Sequence, residues 1–185
     1  MAKAESSSIL AAVTPAIVIA ILVTLVVRLA PKSIAAPGQA GPTPVYVHMD
    51  GANAFVESVV AVKPGQPVVF VNEDTGMHMI DSYNPLTGKI TSDMAGVVQG
   101  TTGPTGTIST YKVAFKLPGF YYYYCPVHAV LSKIYHGSVQ PAHRPGVHGF
   151  PGSMAGLIVV TTDKALIAEN PPSSHKRILS DYFGG

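Results

Sequence analysis

Of the 185 residues one is cysteine and none is tryptophan. A lone cysteine excludes an intramolecular disulfide and any metal site that needs two cysteines. Charge is scarce as well: charged residues are 12% of the chain and the formal net charge is +2. No cluster of lysine and arginine is interleaved with aromatics, so nothing argues for nucleic acid as a partner. Low charge does not mean disorder here, because the mean hydropathy of +0.31 is too apolar for an unfolded chain. Glycine and proline are plentiful, 18 and 16 residues, which suits a turn-rich β protein better than a helix bundle. There is no internal repeat.

The apolar surplus is concentrated at the start. Ser6 to Val27 is a run of 22 residues without a charge, closed by Arg28. As a helix it would span about 30 Å, the hydrocarbon thickness of a bilayer. Pro15 at mid-span would kink such a helix without forbidding it. A cleaved signal peptide is the competing reading, with Ser33-Ile34-Ala35-Ala36 as the small-residue site. Its apolar core would be only about 7–15 residues long, and the length favours an uncleaved anchor. Residues 1–30 therefore read as a single-pass membrane anchor, with the helix over about 6–28. Residues 31–44, rich in Pro, Gly and Ala, read as a tether, 45–162 as the folded domain and 163–185 as a C-terminal extension. Lys3 before the span and Arg28 and Lys32 after it orient the anchor only weakly.

Within the domain, β-rich runs alternate with turn signals. Val45–Met49, Phe55–Val62, Pro67–Val71, Tyr111–Phe115, Phe120–Cys125 and Leu157–Thr162 are expected strands. Lys63-Pro64-Gly65-Gln66 is an expected turn. The pattern predicts an all-β antiparallel sandwich, with residues 84–107 as a long surface loop and a short helix near Lys164–Glu169. Strand alternation sets Tyr121 and Tyr123 on the face shared with Cys125, and Tyr122 and Tyr124 on the other. Packing is the expected role of these tyrosines.

The chemistry lies around the sole cysteine, in Tyr124-Cys125-Pro126-Val127-His128. A thiolate at a strand end and an imidazole three residues on can face one metal. His78, after the turn Asn72 to Met77, supplies a second imidazole if the sandwich brings these strand ends to one pole. Two imidazoles and a thiolate make the trigonal donor set of blue copper, which a weak axial thioether completes. Met154, just before the last strand, is the candidate.

The segment Val59 to Asn72 followed by His78, the Tyr-Cys-Pro-Val-His segment, and Met154-Ala155-Gly156-Leu157-Ile158-Val159-Val160 together resemble the plastocyanin/azurin-type cupredoxins over about residues 45–162. The resemblance implies an eight-stranded Greek-key sandwich, which would follow the N-terminal transmembrane helix read above, with one copper held by His78, Cys125, His128 and Met154. It implies one-electron transfer, not enzymatic catalysis, on the extracytoplasmic (periplasmic) side of the cell membrane. A c-type cytochrome and a respiratory terminal oxidase are the implied partners, and the edge of His128 is the implied electron exit. A dinuclear oxidase-subunit copper centre is excluded, because it needs two bridging cysteines.

Three features depart from the family pattern. Met79 stands where Asn or Asp often ties the ligand loops. Pro126 removes an N–H beside the sulfur. An insertion of 25 residues separates His128 from Met154. The insertion carries His136, His143 and His148, which read as solvated side chains, a docking surface or extra metal ligands. Two further readings stay open: a copper enzyme or small-molecule-binding protein with red-copper-like ligation, and a copper storage or delivery protein. Met94 to Thr162 contains no Asp or Glu, so the Cys/His end is expected to be cationic.

Overall fold

The computed structural model describes residues 41–102, 106–135, 137–147 and 152–171. The expected anchor, most of the tether, His136, His148 and residues 172–185 lie outside the described residues. Among the described residues no helix is long and apolar enough to cross a membrane.

The strands are β1 (Val45–Met49), β2 (Val59–Val62), β3 (Val68–Asn72), β4 (His78–Asn84), β5 (Lys89–Val98), β6 (Ser109–Val113), β7 (Gly119–Tyr124), β8 (Ala129–Leu131), β9 (Val139–Pro141) and β10 (Ala155–Val160). One sheet has the order β1-β3-β6, the other β2-β10-β7-β4-β5, and β8 and β9 form a separate ribbon. Val47 and Met49 of β1, Phe70 of β3, Ile80 of β4, Tyr123 of β7 and Ile158 of β10 share one buried cluster, so the two large sheets face each other across it.

Three expectations need correction. The sheets are not purely antiparallel: β1 runs parallel to β3, and β2 parallel to β10. Strand β2 leaves the first sheet for the second before the chain returns in β3, and that crossing makes β1 and β3 point the same way. Residues 84–107 are not a loop, because they contain β5, the longest strand. In β5 Met94, Gly96 and Val98 are buried while Asp93, Ala95 and Val97 are exposed. Glycine hides this alternation: a Cβ at Gly96 would lie 2.7 Å from the Tyr111 ring, so the strand must present no side chain there. The insertion is not wholly loop either, since the β8–β9 ribbon lies within it.

That ribbon covers one face of the larger sheet. Ala129 packs in a second buried cluster with Tyr83 and Tyr124, and Tyr122, Leu131 and Val139 pack against it. The tyrosine alternation read from sequence therefore holds, with Tyr123 and Cys125 in the central core and Tyr124 under the ribbon. Gly137 (φ 80°) lies close against the carbonyl of Pro85, leaving no room for a Cβ. The ribbon thus spans the sheet from the ligand loops to the β4–β5 turn.

Helix α1 (Lys164–Ala168) forms as expected, with the Asp163 carboxylate accepting from the Ala165 N–H at 2.8 Å. Just beyond it Asn170 pairs with Ala61 of edge strand β2, accepting from its N–H at 2.7 Å and donating to its carbonyl at 2.6 Å. Those groups are then no longer open to pairing with another chain.

At the centre, Tyr123 meets Phe55 and Phe70 edge-on, with centroids 4.8 and 5.1 Å apart. Each such contact contributes about 0.5–1.5 kcal/mol beyond area burial. The Tyr123 hydroxyl is buried without a hydrogen-bond partner, and burial, with the nearby Glu57 carboxylate, pushes its pKa far up. An unpartnered buried hydroxyl costs about 1–3 kcal/mol. Tyr123→Phe is therefore expected to leave stability unchanged or raise it by about 1 kcal/mol, measured by urea unfolding.

Candidate metal centre

The ends of β3, β5 and β7 and the starts of β4 and β10 meet at one pole. Asn72, buried at the end of β3, fixes this junction. Its side-chain amide lies within hydrogen-bond distance of the carbonyls of Gly76, Val98 and Gln99 at 2.8, 3.1 and 2.9 Å, and its Oδ1 accepts from the Asp74 N–H at 2.9 Å. The turn 72–78 is thereby tied to the end of β5, and the chain enters β4 with His78 turned inward.

Cys125 follows β7 directly, and its N–H donates to the Met154 carbonyl at 2.9 Å. The Cys125 carbonyl accepts from His128 and Ala129 at 3.2 and 2.9 Å, closing a tight turn. The turn returns His128 to the side of its own cysteine. Cys125 Sγ lies 3.5 Å from His128 Nδ1 and 3.8 Å from His78 Nδ1. All three donor atoms lie within 4.8 Å of one another, and all three residues are buried.

This spacing fits a metal ion. Bonds of about 2.0 Å to imidazole and 2.3 Å to thiolate, about 120° apart in a plane, set nitrogen and sulfur about 3.7 Å from each other. The observed pair brackets that value. Asp74 completes the design: its Oδ2 lies 3.1 Å from His78 Nε2. With the Nε2 proton held by the carboxylate, Nδ1 is left to ligate. Burial pushes the Cys125 thiol up, but His78 and the N–H groups of Met79 and His128 outweigh it and hold the pKa below the usual thiol value. Burial lowers His78, yet Asp74 and the cysteine sulfur hold it above the usual imidazole value. Both shifts run toward the charged form of each group, and a lowered thiol pKa is the direction that ligation requires.

Two of the sequence departures find a physical answer. Pro126 offers no N–H to the sulfur, and the Met79 N–H, across from β4, donates to it at 3.4 Å. Position 79 contributes its backbone, while Asn72 does the tying of the ligand loops. Neither Asn72 nor Asp74 was expected from sequence; the signal for Asp74 was a carboxylate four residues before a ligand histidine in a turn.

Met154 is buried in the same cluster as Cys125, beside it through the backbone bond. His143 is exposed on the return from β9 and is not in the donor group. The implied exit through His128 meets a difference, because that residue is only 2% exposed.

A second buried polar group stands near this pole. His48 Nδ1 lies 3.0 and 3.1 Å from the two Glu57 oxygens, and its Nε2 lies 3.8 Å from Glu73 Oε1. The carboxylates address opposite ring nitrogens, so they do not converge on one ion. The group clamps the 50–58 loop to β1, since the His48 N–H also donates to Glu57 at 2.8 Å. Asp50, Glu57, Glu73 and Asp74 stand at this pole against Arg144 and His143, and Lys116 and Lys133 lie on distant turns, so the metal end does not carry the excess of cations expected of it. The acid-free segment Met94–Thr162 runs through both poles, and the acids at the metal pole come from earlier in the chain.

No family model matches the chain, and no curated protein does. Solved structures similar to it include a purple cupredoxin from Nitrosopumilus maritimus, at 18% identity and TM-score 0.40, covering 63% of this chain and 99% of that one. A reduced Cu(I) form of an amicyanin mutant aligns at 16% identity and TM-score 0.40, over 66% and 87% of the two chains. Amicyanin from Paracoccus versutus aligns at 17% identity and TM-score 0.35, over 69% and 86%. At these identities the function has to be argued from the site itself.

Asp74→Asn is expected to lower metal affinity about 10–100-fold, the usual effect of losing the partner of a ligating histidine. Competition against a chelator, with the protein's fold checked by circular dichroism, measures it.

Proposed function

We propose that the chain is a membrane-anchored type 1 copper protein that carries one electron at a time between extracytoplasmic redox partners. The single observation that carries this reading is the convergence of Cys125 Sγ with Nδ1 of His78 and His128 in a buried group. Bound copper would supply the Cu(I)/Cu(II) couple, held by His78, Cys125 and His128 with Met154 as the candidate fourth donor. The protein's part is to hold the donors still. Asp74 fixes the His78 ring, the Met79 N–H reaches the sulfur, and the Cys125–Met154 backbone bond joins the cysteine to the candidate thioether donor. A donor set that does not rearrange lets an electron arrive or leave at small cost.

Burial of all three donors supports a closed transfer site over a copper enzyme or a small-molecule site, which needs an open position. The three donors together make a group sized for one ion. Residues 6–28 as anchor would hold the domain at the membrane and raise its effective concentration near a c-type cytochrome or a terminal oxidase.

The protein loaded with Cu(II) is expected to show intense thiolate-to-copper absorption in the visible and one copper per chain. Cys125→Ser is expected to abolish the band. A colourless parent protein that binds no copper would overturn the assignment.

A further inference from the structure

The five most exposed large apolar side chains among the described residues are Leu86, Ile134, Leu117, Phe120 and Tyr135, at 67–85% exposed, and the next, Val59, is at 55%. All five sit at the pole opposite the metal centre. Leu86 is on the β4–β5 turn, Leu117 on the β6–β7 turn, Phe120 near the start of β7, and Ile134 and Tyr135 between β8 and β9. Two contacts join these turns to their neighbours: Gly137 of the ribbon rests on Pro85, and the Gly65 N–H donates to the Phe115 carbonyl at 2.7 Å.

The same pole is cationic. Lys63, Lys89, Lys116, Lys133 and Lys164 are exposed there, against Asp163 and Glu169, and the Asp163 carboxylate is engaged in capping α1. The chain also enters the domain at this pole, because β1 runs from Val45 toward Met49 at the metal end. Forty residues precede Gly41, and they include the uncharged run Ser6–Val27.

We propose that this far pole is a lipid-contact face, lying on an anionic bilayer with its apolar tips in the headgroup region and its lysines among the headgroups. The proposal rests on the anchor reading of Ser6–Val27. Leu86, Leu117, Ile134 and Tyr135 on turns and Phe120 at the start of β7, with lysines between them, match an interface where apolar groups enter by about 5–10 Å and cations meet anionic lipid. A second copy of this chain is a poorer occupant, because its own lysines would face these. Docked this way, the domain presents the metal pole to the aqueous side, with β5, about 30 Å long, setting the height.

The absence of tryptophan supplies the probe. Leu117→Trp and Ile134→Trp report on the far pole and Val97→Trp on the metal end. Each variant is made in the full chain, checked for the parent's metal spectrum, and reconstituted in phosphatidylcholine vesicles containing phosphatidylglycerol. Brominated lipid is expected to quench the two far-pole indoles by about half, while only aqueous acrylamide quenches the Val97 probe. Replacing Lys63, Lys116 and Lys133 together by Glu is expected to remove the lipid quenching.

A chain that fails to float with vesicles overturns the anchor reading and the proposal together. A chain that floats while all three indoles behave alike toward both quenchers overturns the lipid face and leaves the anchor standing. Far-pole emission that shifts to the blue with protein concentration, unquenched by brominated lipid, overturns it in favour of self-association. Equal lipid quenching in pure phosphatidylcholine overturns the role given to the lysines.

Discussion

One buried sulfur, held between two imidazole nitrogens, governs the organisation of this domain. A thiolate out of water is costly unless a cation or strong donors meet it. The chain meets that demand with side chains from two separate turns and with a backbone N–H from β4. Each provision requires the next. His78 is useful as a ligand only if its other nitrogen is held, and Asp74 holds it. Asp74 is in place only because Asn72 fixes the turn on which it sits. The ligand pole is therefore a polar network closed over a small apolar core, and this explains why so many buried polar groups occur at one end of a weakly charged protein.

Much of this was legible in the sequence. Valine-rich runs such as Val68–Val71 are long enough to declare strands, and the Cys125–His128 spacing and His78 single out the three donors that the fold brings together. Other features were hidden for definite reasons. Strand β5 was masked because Gly96 makes room for Tyr111, and so an inward position carries no side chain to betray the alternation. The parallel pairings follow from which sheet each strand joins, and no local pattern records that. Asn72 and Asp74 looked like ordinary turn residues, since their work depends on carbonyls of β5 and a ring nitrogen brought near only by folding. The charge reading failed for a similar reason: a stretch free of acids in sequence need not gather at one place in space.

The insertion between His128 and Met154 is built around the β8–β9 ribbon. Leu131 and Val139 settle over Tyr83, Tyr122 and Tyr124, so a face that would otherwise be an exposed aromatic sheet is roofed. The segment beginning next to a ligand ends its outward run at the β4–β5 turn. Both poles are thus in contact with one continuous excursion of chain.

The backbone bond from Cys125 to Met154 has a consequence for how such a domain can diversify. It cinches the excursion at its neck, so the two ends of the inserted chain stay adjacent whatever lies between them. Length and sequence beyond the neck are then free to drift while the donor group keeps its shape. A lineage could remodel the roof for new surroundings without disturbing the three donors beneath it.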